Sequence, residues 1–294
     1  MDRVRTPVLE VAFESAGPAA GAPVILVHGF PYDAHAFDAV VPLLAARGLR
    51  VIVPYVRGYG ATRFLSEATL RSGQQAAVGQ DLLELLEALA IDRALLAGFD
   101  WGARAACIVA ALHPQRVSGL VSCGGYQIQD IAAAVRPAPP QQEQRYWYQY
   151  YFNTERGRAG LAAHRRDLCR LLWQQWSPTW EFDEAAYERT AASFENPDFV
   201  DVCVHSYRHR YGYAAGDARY AAIESRLAEA PAIDVPTIAL HGADDGVTPA
   251  KLNAARDERF TSRHEQRHLA GVGHDIPQEA PMDFAQAVLD LAKR

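Results

Sequence analysis

The sequence contains few cysteines. The four present in the 294-residue chain are widely separated: Cys107, Cys123, Cys169 and Cys203. They form no CxxC pair and no spacing typical of a metal site or a disulfide framework. We therefore interpret all four as small buried side chains, as free cysteines commonly are. Cysteine usage of this kind favours a reducing compartment, so we expect a cytoplasmic protein.

The sequence also lacks long apolar runs and a strong excess of one charge. No run approaches the roughly 20 apolar residues that cross a bilayer, and the amino-terminal stretch contains no apolar signal core. The net charge is −6, and the basic residues are dispersed along the chain. We therefore expect neither a nucleic acid nor a membrane as a partner.

Short apolar runs alternate with helical patterns in the first part of the chain. The predicted strands are residues 23–29, 50–56, 94–98 and 117–123. The predicted helices are residues 37–48, 74–91 and 102–113. This alternation predicts an α/β fold, a mainly parallel sheet with helices on both faces.

The pattern changes after Tyr126, where a proline-rich stretch leads into a helical, aromatic-rich region. Helices are predicted at 182–194 and 197–211, each beginning near an aspartate suited to capping. Strands then return at 235–242 and near 267–269, followed by a closing helix at 280–294. The sequence thus predicts an α/β core of residues 1–127 and 228–294, interrupted by a helical cap domain at 128–227.

The stretch LLAGFDWGARAACIV has the pattern of a strand that turns sharply into a helix, with Asp100 at the tip. Gly98 and Gly102 stand two positions to either side, where close backbone packing needs small residues. The helix amino terminus would favour an ionised carboxylate. Asp100 could be a nucleophile raised above the sheet or an ordinary helix N-cap.

Other loops favour the nucleophile. The motif HGFP follows the first parallel strand, and the Phe30 N–H could form an oxyanion hole with the N–H of Trp101. The motif HGADDGVTP offers Asp245, with Asp244 as the fallback, and GVGHDIP offers His274. Nucleophile, acid and histidine therefore occur in the order that an α/β hydrolase requires.

With these motifs and RGYGAT, the sequence resembles the α/β-hydrolase superfamily, and most closely its aspartate-nucleophile branch of epoxide hydrolases and dehalogenases. The resemblance implies that Asp100 attacks a saturated carbon and forms an alkyl ester. His274 would activate the water that hydrolyses this ester, and Asp245 would orient His274. No metal or organic cofactor is needed for this chemistry.

Two segments of the predicted cap indicate which leaving group departs from the saturated carbon that Asp100 attacks. YWYQYYFN and HSYRHR resemble the epoxide hydrolase segments that supply phenols, here Tyr148 and Tyr207, which would protonate an epoxide oxygen. Tyr150 and Tyr151 compete for the role of Tyr148, and plain cap packing is the alternative for all of these phenols. We expect the following residues to line the substrate pocket: Pro31, Phe99, Trp147 and Tyr151.

The sequence therefore predicts an epoxide hydrolase that acts on a small apolar or mixed epoxide. The alternatives are a haloalkane or haloacetate dehalogenase with the same nucleophile, and a non-catalytic protein that binds a small molecule. His28 is interpreted as a structural loop residue, and Arg104 as a salt-bridging residue at the rim of the core. Asp275 follows the triad histidine and would favour its charged form if the two groups are close. A homo-oligomer is left open.

Overall fold

The computed structural model describes residues 1–248 and 258–293. Nine strands form one sheet within these residues. The strands are β1 (Asp2–Arg5), β2 (Leu9–Ala16), β3 (Pro23–Val27), β4 (Arg50–Pro54), β5 (Arg63–Phe64), β6 (Ala94–Gly98), β7 (Val117–Cys123), β8 (Thr237–Gly242) and β9 (His264–Leu269).

The strand order is β1-β2-β4-β3-β6-β7-β8-β9, with β5 paired to β2. Strands β4, β3, β6, β7, β8 and β9 run parallel, whereas β1, β2 and β5 join by antiparallel pairing. The central parallel strands are almost wholly buried, as expected where helices cover both faces. The predicted α/β fold is confirmed, and the carboxyl ends of β3, β6 and β8 meet at one edge.

Five helices belong to the α/β part of the chain as the structure describes it. They are α1 (Val41–Ala45), α2 (Gln75–Ala88), α3 (Trp101–Leu112), α10 (Ile276–Glu279) and α11 (Pro281–Ala292). The prediction of one helix over 37–48 is wrong, because a 3-10 turn (Ala34–Phe37) precedes a short α1. Pro42 stands in the first turn of α1, where its missing N–H costs nothing and a new helix can begin.

The inserted region is helical, as predicted. Its helices are α4 (Pro140–Arg145), α5 (Trp147–Phe152), α6 (Glu155–Trp176), α7 (Glu184–Ala191), α8 (Phe199–Arg210) and α9 (Ala221–Ala228). Asp183 caps α7 by accepting from the Ala185 N–H at 3.2 Å. Asp198 does not cap α8 through its side chain, because its carboxylate accepts from Arg71 at 2.8 Å.

Helix α9 lies against α2 of the core rather than over the sheet edge. Glu224 accepts hydrogen bonds from Gln74 Nε2 and from the Ala76 N–H, each at 3.1 Å. The division of the chain at 127/128 and 227/228 remains a prediction, and this contact favours an earlier end to the cap. All four cysteines are buried, as interpreted. No helix among the described residues is long and apolar enough to span a membrane.

A buried aspartate in the loop after β3 binds the inserted region to the core. Asp33 is fully buried and accepts from Thr190 Oγ1 at 3.0 Å and from Ser193 Oγ at 2.6 Å. These hydroxyls belong to α7 and to the turn that follows it. Burial raises the pKa of Asp33 to about 6, although the charge of His35 and the surrounding donors act in the opposite sense.

We expect this contact to make stability depend on pH. Because the folded pKa lies above the unfolded value of 3.8, the contribution of Asp33 is complete below pH 4 and is lost as the pH rises through 6. Stability relative to Asp33→Asn should fall by up to roughly 3 kcal/mol between pH 4 and pH 8, measured by denaturant unfolding. The exposed Asp283→Asn is the control, and a pH-independent difference for Asp33→Asn would contradict the expectation.

Candidate active site

The turn between β6 and α3 raises Asp100 above the sheet edge. Asp100 has φ 49° and ψ −121°, a strained conformation for a residue with a side chain. A Cβ on Gly98 would lie 2.6 Å from the Gly102 carbonyl carbon, and one on Gly102 would lie 1.8 Å from the Val27 oxygen. The Asp100 side chain makes no capping bond to α3. The simple N-cap interpretation is therefore wrong.

The two oxygens of Asp100 have different surroundings. Oδ1 accepts a hydrogen bond from the Phe30 N–H at 2.8 Å, and the Trp101 N–H also faces the carboxylate. A Cβ on Gly29 would lie 2.4 Å from Oδ1, so the approach of this loop depends on glycine. Burial raises the pKa of Asp100, but His274, Arg104 and the Trp101 N–H outweigh it and lower the pKa overall. The carboxylate is therefore ionised at neutral pH.

His274 lies between two carboxylates. Its Nδ1 is 2.9 Å from Asp245 Oδ2, and its Nε2 is 3.8 Å from Asp100 Oδ2. Asp245 Oδ1 accepts from the N–H groups of Val247 and Thr248 at 2.7 and 2.8 Å, which leaves Oδ2 for the imidazole. Burial lowers the pKa of His274, but the charges of Asp245 and Asp100 outweigh it and raise the pKa well above its ordinary value. Asp245, and not Asp244, stands beside His274.

The acid after the histidine points away from the imidazole. The Asp275 side chain accepts from the Gln278 N–H and Nε2 and caps α10. Burial, reinforced by Glu279, raises the pKa of Asp275 well above its usual range. The charge of His274 acts in the opposite sense, and the side-chain hydrogen bonds of Asp275 go to Gln278 rather than to the imidazole.

The carboxyl end of α6 holds the loops that carry the acid and the histidine, a contact that the sequence did not reveal. The Trp176 carbonyl accepts from the N–H groups of Gly246 and His274 at 2.9 and 3.2 Å. Ser177 Oγ accepts from the His274 N–H at 3.0 Å and donates to Glu279 at 2.6 Å. The inserted region therefore helps to position the loops that carry Asp245 and His274.

A cavity of about 290 Å³ lies beside the Asp100 carboxylate. His274 and Asp245 line it from the loops at the sheet edge, and Tyr148 and Tyr207 line it from α5 and α8 of the inserted region. The two phenol rings are 5.4 Å apart, nearly perpendicular, and both are buried. Burial raises the pKa of both phenols, so they remain neutral hydrogen-bond donors.

The geometry agrees with that of a known protein family. Residues 22–281 match the family model of the alpha/beta hydrolase fold. The chain belongs to the α/β-hydrolase family.

The chain is similar over its full length to a solved structure. A candidate epoxide hydrolase from Klebsiella pneumoniae subsp. pneumoniae MGH 78578 has 48% identity and a TM-score of 0.97, and the match covers 100% of this chain and 97% of that one. Epoxide hydrolase A of Mycobacterium tuberculosis H37Rv is 27% identical to this chain, and the match covers 92% of this chain and 90% of the length of that protein.

Other curated relatives of the chain are matched over shorter stretches. A haloalkane dehalogenase from Mycobacterium marinum is 32% identical over 41% of this chain and 40% of its own length. Several relatives named epoxide hydrolase are covered over only 31% to 41% of their length. The names of these relatives support a hydrolase similar to epoxide hydrolases, but they do not identify the substrate of this chain.

Among the tyrosines of α5, Tyr148 is the one that faces the cavity. Tyr150 donates its hydroxyl to Glu143, and the Tyr151 hydroxyl lies against Gly160. Gln149 Nε2 donates to the Tyr148 oxygen at 2.9 Å. Because that oxygen accepts from Gln149, the phenol hydrogen is free to point elsewhere. The sequence did not identify this role of Gln149.

The four residues that the sequence predicted to line the substrate pocket lie outside the cavity. Phe99 is fully buried against Tyr32 and Phe37, because it faces the core side of the turn. The Pro31 carbonyl accepts from the Trp173 indole at 2.9 Å and so contacts α6. Trp147 donates its indole N–H to Gln175 at 2.9 Å, and Tyr151 turns toward α6. None of these four residues lines the cavity.

His28 forms hydrogen bonds with the backbone of neighbouring loops, as interpreted. Its Nδ1 contacts the Gly29 carbonyl and its Nε2 accepts from the Val56 N–H, both at 3.1 Å, while burial lowers its pKa to about 4. Arg104 differs from its interpretation, because it lines the cavity and has no carboxylate partner among the described residues. Within residues 1–248 and 258–293, no group of histidine, cysteine and acidic side chains is arranged to hold a metal ion.

Proposed function

We propose that the protein hydrolyses an ether bond, opening a small epoxide to a vicinal diol through a covalent ester on Asp100. The observation that carries the proposal is a nucleophile turn with an aspartate at its tip. One oxygen of this aspartate is held by the Phe30 N–H, and the other faces His274. The phenols of Tyr148 and Tyr207 line the same cavity, and the similarity to proteins named epoxide hydrolases supports the assignment.

In the first step, Asp100 Oδ2 attacks a ring carbon and the carbon–oxygen bond of the epoxide breaks. Tyr148 and Tyr207 donate hydrogen bonds to the departing oxygen, and one phenol gives up its proton to it. Arg210 favours this transfer, because its charge acts to lower the pKa of both phenols against the larger effect of burial. Gln149, held by Arg210 and Tyr211, supports the Tyr148 oxygen as it gains charge.

In the second step, ester formation changes the state of His274. The ester removes the negative charge of Asp100, one of the two that raise the pKa of His274. The pKa of the imidazole therefore falls, and its neutral form can take a proton from water as that water attacks Asp100 Cγ. The N–H groups of Phe30 and Trp101 stabilise the oxyanion. The proton that His274 loses on ester formation returns to the phenolate of the first step. Collapse of the intermediate breaks the bond between Cγ and Oδ2, the departing oxygen takes the hydroxyl proton of the intermediate, and the diol is released as the carboxylate and the protonated His274 are restored.

A single-turnover experiment in water labelled with oxygen-18 tests this proposal. With enzyme in excess over an epoxide that it accepts, the added oxygen of the diol comes from Asp100 Oδ2, so the diol should be unlabelled and Asp100 labelled. Multiple turnovers are the control and should release labelled diol. Labelled diol in the first turnover would indicate direct attack by water, and no diol from a broad epoxide panel would overturn the proposal.

A second candidate function is dehalogenation. The indole N–H groups of Trp101 and Trp176 are buried and have no hydrogen-bond partner among the described residues. Such donors suit a departing halide, but neither residue lines the cavity. Halide release from haloalkanes or haloacetates that persists in Tyr148→Phe and Tyr207→Phe would favour this function. Diol formation that is lost in both variants would favour the epoxide.

A further inference from the structure

Glu279 accepts hydrogen bonds from the backbone on both sides of His274. It is the last residue of α10, and its side chain folds back onto the loop of residues 271–275, the histidine loop. Oε2 accepts from the Gly273 N–H at 2.6 Å, and Oε1 accepts from the Asp275 N–H at 3.0 Å. One carboxyl group thus holds the chain immediately before and immediately after the histidine.

Ser177 connects the same carboxyl group to the N–H of His274 itself. Its Oγ accepts from the His274 N–H at 3.0 Å and from the Asp275 N–H at 3.4 Å. Because a hydroxyl carries a single hydrogen, that hydrogen is the one donated to Glu279 Oε1 at 2.6 Å. The three consecutive N–H groups of residues 273–275 are therefore bound by one carboxyl group and one hydroxyl.

The histidine loop is also packed against backbone on two sides. A Cβ on Gly273 would lie 2.6 Å from Ser177 Cα, at the end of α6. A Cβ on Gly242, at the end of β8, would lie 1.9 Å from the Gly273 oxygen. Because His274 belongs to this loop, the packing and the hydrogen bonds of Glu279 together fix the position of its backbone.

The direction of the imidazole depends on that backbone position. Nδ1 of His274 is 2.9 Å from Asp245 Oδ2, and the ring packs edge-on against Trp176. Nε2 has no hydrogen-bond partner among the residues that the structure describes, and it lies 3.8 Å from Asp100 Oδ2. A shift of the histidine loop would therefore move Nε2 relative to the Asp100 carboxyl carbon.

The two steps of the proposed reaction differ in what they need from His274. Ester formation uses the Asp100 carboxylate, which the Phe30 N–H holds independently of the histidine loop. Ester hydrolysis requires Nε2 to take a proton from the water that attacks Asp100 Cγ. A displacement of roughly 1 Å at a reacting group can cost roughly 10²-fold in rate, so a shift of this loop should slow the second step selectively.

We propose that Glu279 is a positioning residue for ester hydrolysis, which holds His274 Nε2 in place through the N–H groups beside that histidine. The proposal rests on the ester of the proposed function, but not on the identity of the substrate as an epoxide. The competing role is structural, since a glutamate that accepts from the N–H of an N-cap residue, here Asp275, can simply stabilise the helix. A purely structural role would lower stability and would not distinguish between the two steps.

Glu279→Gln tests the proposal, because an amide cannot accept from all three donors. With its oxygen at the Oε1 position, the amide nitrogen faces the Gly273 N–H, and in the reverse orientation it faces Ser177 Oγ and the Asp275 N–H. We expect ester hydrolysis to slow by roughly 10-fold to 100-fold and ester formation to stay within about threefold. Single turnovers above neutral pH measure both rates. Loss of epoxide reports ester formation, release of diol reports hydrolysis, and intact-protein mass spectrometry follows the ester.

Two further variants accompany Glu279→Gln. Ser177→Ala removes the hydroxyl that links Glu279 to the His274 N–H, and it should slow hydrolysis in the same selective way by at least about threefold. Asp283→Asn is the matched control, an exposed acid in the first turn of α11, and should change neither rate by more than about twofold. Denaturant unfolding of each variant measures its stability separately.

The outcomes distinguish this proposal from the proposed function. Selective slowing of hydrolysis in Glu279→Gln and Ser177→Ala would support the positioning role, whatever the change in stability. Equal slowing of both steps, or hydrolysis at the wild-type rate in both variants, would overturn that role and leave the proposed function standing. His274→Gln is the reference because it removes the base. If no ester forms even in that variant, the ester on which both proposals rest is wrong.

Discussion

Asp100→Asn should abolish turnover of every epoxide that the protein accepts. The substitution keeps the shape of the side chain, and Oδ1 can still accept from the Phe30 N–H, which is 2.8 Å away. It replaces the second oxygen with an amide nitrogen, which is not a nucleophile. Loss of a nucleophile typically costs on the order of 10⁴-fold to 10⁶-fold in rate. Diol formation, followed by chromatography under initial-rate conditions, measures the effect.

The matched control for this variant is Asp244→Asn. Asp244 is an acid at the same edge of the sheet, next to Asp245, and it makes no contact with His274. Its substitution should leave kcat/KM within about threefold, whereas Asp245→Asn should reduce it strongly because the imidazole loses its partner. If Asp100→Asn retains turnover while circular dichroism shows a native fold, Asp100 is not the nucleophile. If Asp244→Asn is inactive, the acid of the triad is misassigned.

The turn and the order of the triad could be predicted from the sequence because both depend on local constraints. Gly98 and Gly102 lie where the backbones of β3, β6 and α3 approach too closely to accommodate a Cβ. This requirement can be read from the sequence as two glycines that flank Asp100 within five residues. The strand ends that carry Phe30, Asp100 and Asp245 follow from the parallel alternation. The roles of these residues remain predictions, but the structure does bring them together with His274.

The lining of the cavity could not be predicted in the same way. Helix α5 is six residues long and nearly every position is aromatic, so no polar and apolar alternation identifies its inner face. The choice of Tyr148 over Tyr151 and Trp147 depends on contacts with α6 that lie outside the segment. Likewise, Arg104 meets Arg210 and Gln129 only because the inserted region folds back over the sheet.

The contacts that hold His274 in place could not be predicted from the sequence either. The Trp176 carbonyl and Ser177 are nearly 100 residues away in the chain, at the carboxyl end of α6. The sequence predicts only a helical, aromatic-rich region there, and no motif indicates a contact with the histidine loop. Their contacts imply that the inserted region does more than cover the cavity. They hold the histidine loop at the position from which Nε2 faces Asp100 Oδ2. The second step of the proposed reaction depends on that position.

His274→Gln should stop the reaction after the first step and accumulate an ester on Asp100. The substitution removes the largest of the contributions that lower the pKa of Asp100, so this pKa rises, and the exposure to epoxide is carried out above neutral pH. The Phe30 and Trp101 N–H groups and the charge of Arg104 still favour the charged form of Asp100. Without His274, no general base takes a proton from the water that must attack Asp100 Cγ. A positioned general base contributes roughly 10²-fold to 10⁴-fold to the rate. Intact-protein mass spectrometry after exposure to an epoxide should show the protein plus one substrate mass, located on Asp100 by peptide mapping.

The double variant His274→Gln with Asp100→Asn is the control and should show no adduct, because the ester requires the carboxylate. In the wild type, hydrolysis of the ester should need a neutral imidazole, so its rate should rise with pH and then level off. The pKa seen in that step should lie below that of His274 in the free enzyme, where the charge of Asp100, 3.8 Å from Nε2, favours the protonated form. An adduct that forms equally in the double variant, or identical pKa values in the two states, would contradict the proposed alternation of charge between Asp100 and His274.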